Sequence, residues 1–296
     1  MTWWLLAIIV SFANCVPLDI NKKLKMDGIR GRGWTSFFAF SFLTPIVWFI
    51  EFPTAPEFYA AALVAGILMS FIGVSILNLS REHGGPLTSL TRPIQILSSF
   101  FIWAAIEPFE TLEMLSNAYV IAGIAFAFIC AGLGQWYMVK GRVELHGALK
   151  TLLIVGFIAG FMSPLTKFGM GFTDQFAQAY VWGWCVHLTS FPMCFLRHQF
   201  RSGPRPSLFE SHVLKGGLII GTIKVLIGPL IVTAYHLSPN PAFATLIFML
   251  ATVWLMIFYK IKKQETHINI KTAFLMILSA IIIIATTNAY RYFDQL

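Results

Sequence analysis

Ten apolar runs leave this chain few ways to fold, because each is close to the roughly 20 residues that carry an α-helix across about 30 Å of hydrocarbon. They fall at 3–20, 34–52, 57–79, 86–106, 116–139, 147–168, 174–196, 211–236, 240–261 and 270–292, and are numbered here as spans 1 to 10. Within a bilayer every backbone N–H and C=O must be satisfied by the protein itself, so only helices or a closed barrel cross it. The runs are continuous and do not alternate, which excludes the barrel. Of the 296 residues 57% are hydrophobic and 11% charged, against about 25% charged in an ordinary soluble domain. The expected fold is an all-α polytopic membrane protein whose principal surroundings are the lipid bilayer. The connections are short, so neighbouring helices are expected to be antiparallel, with no room for a soluble domain. Span 1 has no basic segment before it and no small-residue cleavage site after it, and reads as a retained helix.

The net charge of +8 would suggest a nucleic-acid partner in a soluble protein. Here its distribution gives a different reason, and no nucleic acid is expected. Connections after spans 1, 3, 5, 7 and 9 carry Lys22, Lys23, Lys25, Arg30, Arg32, Arg81, Lys140, Arg142, Lys150, Arg197, Arg201, Arg205, Lys215, Lys260, Lys262, Lys263 and Lys271, which is 17 of the 21 basic residues. The other side carries Glu51, Glu57, Glu107, Glu110, Glu113, Asp174 and Asp294, with Arg291 in the tail. Basic residues accumulate on the cytoplasmic side, so the odd connections are expected there and both termini outside. An even number of spans puts the termini on one side, in agreement.

The chain also repeats itself. Span 1 ends Asn14-Cys-Val-Pro17-Leu18 and span 6 ends Phe161-Met-Ser-Pro164-Leu165, so the shared Pro-Leu recurs 147 residues on. Spans 3 and 4 join through Gly84-Gly85-Pro86, spans 8 and 9 through Pro239-Asn240-Pro241. Spans 3 and 8 both carry glycines (Gly66 and Gly73; Gly217, Gly221 and Gly228). Two halves of five spans follow, 1–140 and 141–296. Five is odd, so the second half must cross the membrane in the opposite sense. That is the inverted-topology repeat of many secondary transporters.

On these features, and most specifically on Leu77-Asn-Leu-Ser-Arg-Glu-His-Gly-Gly-Pro-Leu-Thr-Ser-Leu-Thr-Arg-Pro93, the chain resembles the drug/metabolite transporter superfamily in its ten-helix EamA-like branch. That segment is similar to the family's connection between helices 3 and 4, closed by a proline in helix 4. Glu107 or Glu110 stands where the family often has an acidic residue ending helix 4, and Lys262-Lys263-Gln264-Glu265 occupies the equivalent place after helix 9. The resemblance implies a cavity between two inverted bundles, alternating access, and a helix-5/helix-10 contact between protomers in a homodimer. It also implies cytoplasmic termini, the reverse of the charge bias, which is followed here.

Within the spans, Thr88, Arg92, Gln95, Ser99 and Trp103 follow one another at spacings of 4, 3, 4 and 4, which places them on one helical face. Arginine is costly in a bilayer and normally faces a cavity or a partner there. Lys167 closes span 6 and Lys224 lies in span 8, in the family's cavity-lining set. The absence of an Asp or Glu mid-span points to an anionic substrate, a phosphate or carboxylate, neutralised by Arg92, Lys224 and Lys167. Arg92 is about two turns from the connection, where snorkelling is the alternative. A histidine such as His187 titrates near neutrality in the ordinary case, though a lone histidine in a membrane is more often a structural hydrogen-bonder. Asn14, Asn78 and Gln95 are the uncharged polar candidates for substrate contact. Trp103, Tyr180 and Trp184 are the aromatic ones, suited to a base, a sugar face or a quaternary amine.

Cys15, Cys130, Cys185 and Cys194 all fall inside spans without zinc spacing and read as buried thiols. No nucleophile elbow, metal-spaced cluster or Walker lysine is present, so neither an enzyme nor a cofactor is expected. The expected function is a secondary transporter of a small anionic or zwitterionic metabolite in a bacterial inner membrane. The alternatives are transport of cationic or amphipathic compounds, flipping of a lipid-linked anion, and an integral membrane enzyme.

Overall fold

A computed structural model describes residues 2–88, 90–139, 145–173, 176–202, 205–263 and 270–293. Lys140, Arg142, Asp174, Gln264, Glu265 and Asp294 lie outside them. The chain order is α1 (Trp3–Ala13), α2 (Cys15–Leu24), α3 (Gly28–Val47), α4 (Pro56–Thr88), α5 (Thr91–Ile106), α6 (Pro108–Leu115), α7 (Ala118–Val139), α8 (Leu145–Gly160), α9 (Met162–Met170), α10 (Gln178–Gln199), α11 (Ser211–Leu237), α12 (Pro241–Phe248), α13 (Ala251–Ile261) and α14 (Ile270–Phe293). No strand occurs among the described residues.

Among the described residues seven helical stretches are long and apolar enough to cross a membrane: Trp3–Asn21, Pro56–Glu82, Ala118–Met138, Leu149–Met170, Ser211–Leu237, Pro241–Ile261 and Ile270–Tyr290. The protein is a multi-pass membrane protein. Three of the ten expected spans are helices of a more polar or shorter kind. Helix α5 has 16 residues, α3 opens on Arg30 and Arg32, and α10 carries Gln178, His187, Arg197, His198 and Gln199.

Two helix breaks have the same cause. Helix α1 stops at Ala13 and α8 at Gly160, each four residues before a proline, Pro17 and Pro164. A helical proline lacks the N–H that would bond the carbonyl four residues back, and its ring clashes with that carbonyl. The chain turns at Asn14 and at Phe161 and the helix restarts. Pro45 inside α3 and Pro192 inside α10 are also 147 residues apart. The break between α12 and α13 has no proline; there Met249 N–H bonds Leu246 O at 3.2 Å and Leu250 N–H bonds Ile247 O at 2.9 Å, a tightened turn of 3₁₀ type.

The chain forms two compact units, each drawn from both halves of the sequence. The first comprises Met1–Cys15, Ser89–Pro164 and Leu237–Leu296, the second Val16–Thr88 and Leu165–His236. In the first, α12 is buried along its whole length and packs on α1 and α5. Helices α7 and α14 run antiparallel. A Cβ on Gly134 would lie 3.2 Å from Met276 Cγ, while Ser279 Oγ donates to Ala127 O at 2.7 Å.

In the second unit α3 and α10 run antiparallel. Trp34 meets Phe195, Ser36 Oγ bonds Ser190 Oγ at 3.2 Å, Phe40 meets Phe191, and Trp184 Nε1 donates to Thr44 Oγ1 at 3.1 Å. Helix α4 packs against both. It runs on to Thr88, so the break expected at Gly84-Gly85-Pro86 comes later, ahead of α5.

The start of α3 corrects the sequence reading. Asp27 caps it, accepting at 3.2 Å from the N–H groups of both Ile29 and Arg30. That is an ordinary aspartate N-cap. Helix therefore begins six residues before the expected span, and Arg30 and Arg32 leave the basic connection for the first turns of α3, where both are buried.

Candidate functional site

In the first unit the α5 stripe is largely bonded to itself and its neighbours. Arg92, second residue of α5 and half-buried, donates from Nη1 to Gln95 Oε1 at 3.1 Å. Ser99 and Ser163 hydroxyls share a 2.6 Å bond, and Thr245 Oγ1 donates to Ser163 Oγ at 3.4 Å. Those bonds tie α5 to α9 and α12. Trp103, buried, donates from Nε1 to Glu110 Oε2 at 3.2 Å. Thr88 is the last residue of α4, not a member of α5. Asn14 sits at the α1–α2 turn, its N–H bonded to Val10 O at 2.9 Å.

The second unit holds the other candidates. Asn78 Oδ1 accepts from Gly28 N–H at 2.9 Å, holding the start of α3 against α4. Tyr180 and Trp184 pack on a core of Ala39, Leu43 and Val225. Lys167, half-buried, stands where its charge acts on His236.

Lys224 and His187 are linked electrostatically, together with a residue the sequence reading had left in a connection, Arg32. The charges acting on the His187 ring are those of Arg32 and Lys224. Arg32 is 5% exposed and His187 7%. Arg32 Nε and Nη2 and His187 Nδ1 have no hydrogen-bond partner among the described residues. Arg32 also has no carboxylate within ion-pair distance among them.

The surrounding helices fix the guanidinium. A Cβ on Gly73 of α4 would lie 2.6 Å from Arg32 Cδ and 2.9 Å from its Nε, so α4 can lie this close only because residue 73 has no side chain. Cys194 of α10 is close enough to interact with the guanidinium, and Ser190 bonds its thiol. Buried cations are normally paired, because an uncompensated charge in a low-dielectric interior is expensive.

Just ahead of α3 lies a second charged group, held together by ion pairs. Asp27 Oδ2 is 3.0 Å from Arg201 Nη1 and 3.8 Å from Arg81 Nη1, and its Oδ1 is 3.9 Å from Arg30 Nε. Arg30 Nη1 reaches Glu210 Oε1 at 2.6 Å and Ser207 O at 2.7 Å. Burial pushes the Asp27 carboxyl up, but the Arg30 backbone N–H, the Arg201 hydrogen bond and the charges of Arg201 and Arg30 outweigh it. The net effect holds the carboxyl below the usual aspartate range. This cluster joins α3, α4 and the α10–α11 connection.

Among the described residues no three His, Cys, Asp or Glu side chains are grouped so as to hold a metal ion. The four cysteines are buried thiols. Compared with protein-family models and with curated proteins, the chain matches none.

Proposed function

We propose that this chain is a secondary transporter that carries a small anionic or zwitterionic metabolite by alternating access, with Arg32, Lys224 and His187 as its substrate-binding groups. The observation that carries the reading is Arg32: a buried arginine in the second turn of α3, two of whose nitrogens no described protein group engages. A charge so placed is rare without a function. An anionic substrate supplies the compensation that the neighbouring residues, Lys224 and His187, do not.

The architectural part of the reading is two inverted five-helix repeats, 1–140 and 141–296, similar to the EamA-like branch of the drug/metabolite transporters. It is supported by prolines that recur 147 residues apart in spans 1 and 6 and again in spans 2 and 7. It is further supported by the antiparallel packing of the repeat-related pairs α3 with α10 and α7 with α14, since helices related by an inverted repeat cross in opposite senses. Placement in a bacterial inner membrane with the termini outside belongs to the same proposal and rests on the charge of the connections.

Counterflow in proteoliposomes tests it. Vesicles loaded with an unlabelled solute are offered the labelled one, across a panel of organic phosphates, carboxylates, zwitterionic amino acids and organic cations. Uptake of at least one anionic or zwitterionic solute above protein-free vesicles is expected, with loss of that uptake in Arg32→Gln. Uptake confined to cations, or full uptake by Arg32→Gln, would overturn the proposal.

A further inference from the structure

Where α10 ends, four arginines gather beside aromatic rings that face outward, and the carboxylates beside them are too few. Arg201 Nη1 and Arg81 Nη1 both approach Asp27 Oδ2, at 3.0 and 3.8 Å. The two guanidinium groups therefore stand side by side, half-exposed, at one edge of the second unit. Asp27 is buried and also serves Arg30; the other carboxylate on Arg81 is Glu82, at 3.3 Å. Arg197, four residues before Arg201, lies over the Phe71 ring of α4 at 4.4 Å and donates to Ser70 O at 3.5 Å. Arg205, exposed, donates from Nε to Arg201 O at 3.5 Å. Neither Arg197 nor Arg205 has a carboxylate within ion-pair distance among the described residues.

The neighbouring apolar groups narrow the kind of anion that reaches this edge. Phe71 belongs to a helix apolar enough to cross the membrane. It and Phe200, the C-cap of α10, are both exposed, Phe200 at 81%. An arginine whose stem crosses such a ring holds its head at the boundary between hydrocarbon and headgroups. A phospholipid meets both surroundings at once: its phosphodiester suits the guanidinium fork, and its acyl chain suits Phe71. A zwitterionic headgroup brings its own ammonium against the arginines, so the excess positive charge favours lipids whose headgroup is anionic.

We infer that Arg81, Arg197, Arg201 and Arg205 seat the headgroup of one anionic phospholipid, with an acyl chain lying past Phe71 where α4 packs on α10. The inference goes beyond the transport reading and uses neither Arg32 nor Lys224.

Native mass spectrometry and thermal shift on the detergent-purified, delipidated full chain test it. The probes are dioleoyl phosphatidylglycerol, dioleoyl phosphatidylcholine and the water-soluble glycerol phosphate. One phosphatidylglycerol is expected to stay bound under conditions that strip phosphatidylcholine, and to raise the unfolding midpoint with concentration. Glycerol phosphate is expected to do neither. Arg197→Gln and Arg205→Gln break no ion pair among the described residues. Each is expected to weaken phosphatidylglycerol binding about fivefold and to leave phosphatidylcholine unchanged. Arg205 is exposed and supplies the test should Arg197→Gln fail to fold. Lys262→Gln removes a cation that also lies over a ring, Phe258, at 3.9 Å, but outside the arginine group; the lipid preference is expected to survive it.

Equal retention of the two lipids, an equal shift from glycerol phosphate, or an unchanged preference in both arginine variants would overturn the inference. So would a loss in Lys262→Gln as large as in the arginine variants, because the lipid would then be answering overall charge and not this seat.

Discussion

At the scale of single residues, two arginines two positions apart have opposite fates. Arg30 is held by Glu210, Ser207 and Asp27, whereas Arg32, a turn's fraction further round α3, points away from that cluster toward α4 and α10. Asp27 separates them, because its cap fixes where α3 begins and hence which way each arginine faces. Asp27→Asn keeps a competent cap but removes the carboxylate charge. The loss is that of partly exposed ion pairs to Arg201 and Arg81, about 1 kcal/mol, read as a lower denaturation midpoint. The Asp27 carboxyl is depressed in the folded protein, so its contribution is present above the unfolded aspartate value of about 3.9 and fades as pH falls through the lower folded value. Wild type and Asp27→Asn are accordingly expected to differ near neutral pH and to converge in acid; a gap that persists unchanged into acid would assign the effect to something other than the charge. The same residue explains why Arg32 went unread in the sequence. Hydropathy places the span at Trp34, after the charges, and so assigns both arginines to a basic connection. The signal that would have recovered them was Asp27 as an N-cap, which starts the helix at Gly28 whatever the hydropathy. Arg92 was legible as a costly arginine heading a polar stripe, yet the pattern alone did not show that Gln95 accepts from it and that the serines behind bind one another.

At the scale of elements, a hydropathy window sees how much of a helix suits lipid, not where the helix stops. It places the apolar runs well but ends span 3 at Leu79, while α4 continues to Thr88 because a helix is free to run past the membrane surface. Proline is the better guide to interruption. The breaks at Asn14 and Phe161 were legible in Pro17 and Pro164 as a repeat, and the structure supplies the reason for their position, the carbonyl four residues back. The break at Met249–Leu250 has no such marker and was not legible. Restoring a donor at one break is a direct test: in Pro164→Ala the new N–H can reach the Gly160 carbonyl and join α8 to α9. Amide exchange across residues 160–165 is expected to slow, with counterflow reduced if an interrupted helix is needed for transport. Unchanged exchange rates would show that the break is set by packing and not by proline.

At the scale of the whole molecule the charge of the connections predicts which side faces the cytoplasm, and single positions can check it. Removing Arg30 and Arg32 from the connections thins the basic excess after span 1, but Lys22, Lys23 and Lys25 remain there. The group after span 7 keeps Arg197, Arg201 and Arg205. Several of these residues also behave as interfacial anchors: Arg197 lies over the Phe71 ring at 4.4 Å and Lys262 over Phe258 at 3.9 Å, their stems along apolar surface and their heads at its edge. The stretch from the end of α5 to the start of α7 carries Glu107, Glu110 and Glu113 with no basic residue among them. In the proposed ten-span topology successive spans alternate in direction, so one connection placed on each side fixes all the others. Ser116, between α6 and α7, and Ser202, after α10, are both exposed and stand in connections of opposite charge. The four native thiols are buried, so the unmodified chain is expected to react little with a membrane-impermeant maleimide and serves as the control. Ser116→Cys is expected to label in intact cells, and Ser202→Cys only once the membrane is permeabilised. The converse pattern would place the basic connections outside and the termini inside, in the orientation common to the EamA-like transporters. Charge would then have to yield to resemblance, and the Arg32 end of α3 would face the exterior.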